Sequence, residues 1–215
     1  MRSPQKPLSS HDRDALISQA SPYFFYKASP LAIRLDDIKA VAKVIEKHDT
    51  PPPLGLVNQH SLQWVEERAA RAGRESLGRL TAAFRVLPDW EIAEFSIISC
   101  EWVPPRSDDI VPTDVFASLV LATGGTPYVM SMLKTQRATQ GATAVIAEGR
   151  EIGAGDFFIF APNRAHMAVP MHSCTGARLT LLQAWVRTGE KRWQESVLRH
   201  WPRHTQDEIL YAETA

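Results

Sequence analysis

The sequence predicts a mainly β fold of the α+β kind, a sandwich or barrel core with helices before and after it. Three observations predict it. From about residue 84 onward, short apolar runs rich in β-branched and aromatic residues alternate with turn clusters. Ahead of that point, two stretches carry apolar residues at helical spacing. Beyond residue 187, a basic and aromatic stretch, KRWQESVLRHWPRH, reads as a closing helix packed on the rest.

In chain order, residues 1–20 are polar, with Pro4 and Pro7, and read as a flexible lead-in. SPYFFYKASPLAIRL supplies a short strand. Asp36 and Asp37 are expected to cap a helix over 36–48, in which Ile38, Val41, Val44 and Ile45 recur at helical spacing. TPPPLG at 50–55 breaks the chain. A second helix is expected over 61–84, weakened in its middle by Gly73 and Gly78. Strands follow at 92–102, 115–123, 128–135, 142–147, 156–161, 165–170 and 177–187. The turns between them are PPRSDD, TGGTP, EGREIGAGD, PNR and HSCTG. The expected organisation is thus a lead-in at 1–20, a helical part at 21–83 packed on the core, a β core at 84–187, and a C-terminal helix and tail at 188–215.

Composition excludes several classes of function. Lys+Arg and Asp+Glu both number 24, so no basic surplus points to nucleic acid. Two cysteines, Cys100 and Cys174, rule out a disulfide framework and a four-cysteine zinc site. The first residues lack the apolar segment of a signal peptide, and no long apolar run suggests a membrane span. A soluble, cytoplasmic protein with reduced thiols is the expectation. Oligomeric state is not legible.

Residues 155–185, GDFFIFAPNRAHMAVPMHSCTGARLTLLQAW, carry the chemistry. A turn, an apolar strand, a polar tip with His166, a return strand and a strand with Arg178 and Thr180 follow one another. His166 reads either as a ligand or as a surface-turn histidine. Arg178 lies within an apolar strand and needs an anionic partner or several carbonyls if it points inward. That partner is either a bound carboxylate or a structural one such as Asp114 or Asp156. Asp114 itself either caps a turn or binds a ligand. Cys100 reads as a core thiol, and His172 beside Cys174 as chance proximity.

Residues 111–187 resemble the double-stranded β-helix, or jelly roll, shared by cupins and Fe(II)/2-oxoglutarate-dependent oxygenases. The oxygenase pattern is a first-strand His-x-Asp, a later histidine, and then an arginine, often in Arg-x-Ser. Asp114 and His166 stand 52 residues apart, and His166 and Arg178 stand 12 apart, with Arg178-Leu179-Thr180 in the last motif. The resemblance implies that Asp114 and His166 bind Fe(II), leaving positions for 2-oxoglutarate and dioxygen. It also implies that Arg178, with Thr180, grips the co-substrate's distal carboxylate. The expected activity is then hydroxylation of a C–H bond.

The chain departs from that pattern at Pro112-Thr113-Asp114, where proline replaces the first imidazole. Three explanations stay open: the iron site is lost and the barrel kept as a scaffold, a ligand such as His60 or His172 completes an unusual site, or the register is displaced. The alternative to an oxygenase is therefore a non-catalytic binding or regulatory protein, taking a small carboxylate or a protein partner. A cupin-type isomerase or sugar-binding protein is a third reading; its first His-x-His motif is absent.

Overall fold

Two antiparallel sheets enclose one apolar layer, and helices cover the outside of the larger sheet. The computed structural model describes residues 23–26, 33–53, 55–84, 91–106, 114–137, 143–160, 166–172 and 176–187. Its elements are β1 (Tyr23–Tyr26), α1 (Leu35–His48), β2 (Val57–Ser61), α2 (Leu62–Arg68), α3 (Arg71–Phe84), β3 (Glu91–Cys100), β4 (Val103–Arg106), β5 (Asp114–Ala122), β6 (Tyr128–Arg137), β7 (Thr143–Ile152), β8 (Phe157–Phe160), β9 (His166–Pro170) and β10 (Leu179–Arg187). The larger sheet runs β1-β8-β5-β10-β3-β2 and the smaller β4-β9-β6-β7. From β3 on, the chain changes sheet at each step except the β6–β7 hairpin. That alternation is the double-stranded β-helix.

The topology explains the texture of the strands. β8, FFIF, is buried at all four positions because both faces of the larger sheet are covered. Phe157 and Ile159 pack under the helices with Ile38, Ile45, Leu77 and Phe84. Phe158 and Phe160 pack between the sheets with Val120, Tyr128 and Leu179. Edge strands carry no such constraint. β4, VPPR, is an edge, where prolines cost no ladder hydrogen bond, so its sequence reads as a turn. β7 is the opposite edge and runs on through Gly149, Arg150 and Glu151, which are exposed and also read as a turn. β2, VNQHS, is short, polar and likewise an edge.

The helices depart from expectation in two places. Arg34, not Asp36 or Asp37, is the N-cap of α1, and it makes no side-chain cap bond. The Asp37 carboxylate instead accepts from Arg79 Nη2 at 2.7 Å and Ser76 Oγ at 2.8 Å, tying α1 to α3. A guanidinium is a stronger partner for a buried carboxylate than a backbone amide of its own helix. The expected single helix over 61–84 is two. Ser61 caps α2 by accepting from Trp64 N at 3.2 Å, and the chain turns extended at Ala69 before α3 starts. Gly73 lies where α3 returns: a Cβ there would stand 3.1 Å from Ala69 Cβ and 3.6 Å from Val44 Cγ2. It admits a close approach rather than weakening one long helix.

The expected lead-in and the C-terminal helix at 190–200 lie outside the described residues. Among the described residues no helix is long and apolar enough to cross a membrane. One turn helps to place Arg178. Gly124, at φ 60°, lets the β5–β6 turn press against the start of β10. A Cβ there would come within 2.7 Å of Arg178 N and Gly176 O.

Candidate functional site

Strand β10 sorts its side chains onto two unlike environments. Leu179 and Leu181 belong to the layer between the sheets, and Leu182, Ala184 and Val186 to the layer under the helices. Period-two alternation carries Gln183 to the first set, and Arg178 and Thr180 to the second.

Between the sheets lies a cavity of about 40 Å³. Its walls are mostly hydrocarbon and aromatic, including Met130, Phe116, Phe160 and Leu181. His166 and Gln183 are its polar lining residues. His166 opens β9, is only 3% exposed, and stands 5.0 Å from the Phe160 ring, centroid to centroid. The histidine at a polar strand tip is therefore an interior residue, not a surface-turn one. Its register partner on the adjacent edge strand is Arg106.

On the other face of the larger sheet, a polar network surrounds Asp49, the residue that ends α1. The Asp49 side chain is 2% exposed and that of Arg178 12%. Arg178 Nη2 donates to Asp49 Oδ2, Nη1 to the Asp49 carbonyl at 3.2 Å, and Nε to Ser99 Oγ at 2.7 Å. Asn58 Nδ2 donates to Asp49 Oδ1 at 2.8 Å, and His60 Nε2 bonds the same oxygen at 2.9 Å. His60 stacks on Trp64, over which the Arg68 guanidinium lies at 4.4 Å. The arrangement clamps the end of α1 to β2, β3 and β10. Thr180 Oγ1, buried on that face, finds no partner among the described residues.

Burial raises the Asp49 carboxyl's pKa, but hydrogen bonds from His60, Asn58 and Ser99, with the Arg178 charge, outweigh it and hold the group below the usual carboxylate range. The Arg79 hydrogen bond does the same for Asp37, against the opposing effect of burial. A lowered folded-state pKa contributes stability that is whole above the unfolded value near about 4 and disappears as pH falls through the folded one. The urea midpoint is therefore expected to drop below about pH 4. The drop should be shallower in Asp49→Asn; equal pH profiles for the two proteins would remove Asp49 from this role.

Of the four residues singled out in the sequence, Arg178 and Thr180 do not share a face with His166. Arg178 and Thr180 lie on the helix side of β10, and His166 lies between the sheets. Asp114 opens β5 in the larger sheet, in register with Arg187, whereas His166 is in the smaller sheet. Of the other histidines weighed as ligands, His60 is in the Asp49 network and His172 is exposed. Residues 107–113 lie outside the described residues. Sequence reading missed Gln183, Asp49 and Asn58. Gln183 had a signal: a lone carboxamide inside the apolar run LTLLQAW, in phase with leucines 179 and 181.

Non-haem Fe(II) in an open facial site asks for two imidazoles and a carboxylate on one side. Among the described residues, no group of three His, Cys, Asp or Glu comes together. The cavity's described lining offers one imidazole and one carboxamide, with no cation for a carboxylate co-substrate. These residues do not fit Fe(II) with 2-oxoglutarate.

No protein-family model matches the chain, and no curated protein matches it. Solved structures do. The non-haem α-ketoglutarate-dependent epimerase SnoN of nogalamycin biosynthesis superposes with a TM-score of 0.54 at 12% identity, over 86% of this chain and 88% of that one. Its complex with Fe3+, α-ketoglutarate and nogalamycin RO gives 0.54 and 12% over 83% of each. A Pseudomonas putida prolyl-4-hydroxylase gives 0.46 and 16% over 81% of this chain and 95% of that one. The likeness to SnoN, at this identity, establishes the fold: the jelly roll found in 2-oxoglutarate-dependent enzymes.

Proposed function

We propose that this chain is a non-catalytic binding protein, built on an oxygenase-type jelly roll whose interior no longer serves iron chemistry. The observation that supports it best is the alternation of β10. Its cavity-side positions are Leu179, Leu181 and Gln183, while Arg178, the expected carboxylate anchor, is bonded to Asp49 and Ser99 on the other face. A dianionic co-substrate entering this cavity would be desolvated without a cation to receive it, which costs several kcal/mol per charge, on the order of the effective burial penalty of an ion. The interior instead suits a small ligand with an apolar body.

The oxygenase reading keeps one supporting observation: His166 lines the barrel interior beside β4, after which Asp108 and Asp109 follow in sequence. One experiment separates the two. Protein purified anaerobically is titrated with Fe(II) and 2-oxoglutarate, and bound metal and decarboxylation are measured. The expected result is no Fe(II)-dependent 2-oxoglutarate binding and no turnover. Stoichiometric iron with 2-oxoglutarate consumption would overturn the non-catalytic reading.

A further inference from the structure

On the inner face of the larger sheet a polar row spans three adjacent strands, and its middle member, Gln183, lines the cavity. Gln183 of β10 is in register with Ser96 of β3 on one side and Ser118 of β5 on the other. All three share the inner face. Ile98 and Cys100 set the phase of Ser96, Val120 sets that of Ser118, and Leu179 and Leu181 set that of Gln183. All three are buried. Gln183 Nε2 donates to Ser118 Oγ at 3.2 Å, which fixes the carboxamide's orientation across the row. The second amide hydrogen and the carbonyl oxygen of Gln183 remain available for further bonds. His166 and the Phe160 ring beside it line the same cavity.

A polar row on an apolar wall is costly unless its hydrogen-bonding capacity is met. A carboxamide presents a donor and an acceptor side by side, and its complement is another amide edge, with C=O beside N–H. The described lining holds no lysine, arginine or carboxylate, so the complement is a neutral group rather than an anion. The volume, about 40 Å³, is well below the range of pockets that enclose whole drug-sized ligands. It admits a head group of a few heavy atoms.

We propose that Gln183, oriented by Ser118, forms with His166 the recognition edge of a site for a small uncharged ligand bearing an amide or lactam edge on an apolar body. This rests on the non-catalytic reading of the same cavity and names the class of ligand it takes.

The test uses an isosteric pair, propionamide and propionate, titrated into the full chain at pH 7.5. The Gln183 side-chain amide and His166 ring resonances are followed by NMR. Propionamide is expected to shift both saturably, and propionate to bind at least about tenfold more weakly, as expected for a carboxylate losing its water without a cation. Gln183→Leu is expected to abolish the propionamide response, and Ser118→Ala, which removes the hydroxyl that orients the carboxamide, to weaken it, with thermal melts checking that each variant is folded. Equal or tighter binding of propionate would overturn the proposal, as would unchanged binding in a folded Gln183→Leu or no saturable shift with propionamide. The two readings fail separately. Fe(II)-dependent 2-oxoglutarate binding overturns the non-catalytic reading whatever propionamide does. Absence of both kinds of binding overturns only the ligand class.

Discussion

Replacing Asp49 by alanine is expected to destabilise the protein by about 3–5 kcal/mol, the range for removing one partner of a buried ion pair. The carboxylate receives Arg178, Asn58 and His60. Without it, a guanidinium only 12% exposed loses its counter-ion. The stranded charge accounts for much of the loss, so a second change isolates it. Arg178→Met in the Asp49→Ala background should recover part of the stability, because an apolar chain of similar length needs no counter-ion. Urea unfolding of the four proteins in the cycle measures the coupling. A loss below about 1 kcal/mol for Asp49→Ala, the value of a typical exposed pair, would show that the clamp contributes no more than a surface contact.

The second large effect is expected at Phe84, which ends α3 and is fully buried. Its ring meets Phe95 edge-on, at 5.5 Å and 90°, and Phe157 at 5.6 Å and 69°. Phe84→Ala should cost about 3–5 kcal/mol, combining lost transfer energy with a cavity between α3 and the larger sheet. Phe84→Leu, which keeps most of the volume, should cost less, about 1–2 kcal/mol. If the alanine variant lost no more than the leucine one, the site would be collapsing around the gap, and the helical layer would not be held by close packing there.

The barrel was legible in the sequence because its interior strands announce themselves. β3, β5, β8 and β10 are apolar runs between turn signals, and the topology keeps them so by covering both faces of the larger sheet. β4 and the far end of β7 were illegible for the converse reason: Pro104 and Pro105 in β4, and Gly149 in β7, are tolerated where only one side of the ladder is paired. The site was partly legible. His166 is an interior residue, as a ligand reading requires, and Cys100 is a buried thiol. The linear spacing from His166 to Arg178 gave no phase, and a two-residue alternation decides which side of a sheet an arginine faces. Nothing local tied Asp49 to Arg178 either: the pair is 129 residues apart and meets only when α1 is laid on the sheet.

β10 therefore behaves as a party wall between two tenants with opposite needs. On one side are a charged clamp and the helices it fastens; on the other is an uncharged room with a carboxamide in it. Point substitutions along this strand alter one tenant at a time, so stability and ligand choice can drift independently. An inserted or deleted residue exchanges them, sending leucines 179 and 181 under the helices and Thr180 and Leu182 into the cavity. Among length changes in the core strands, those in β10 should be tolerated least, because a single slip removes the latch and the lining together.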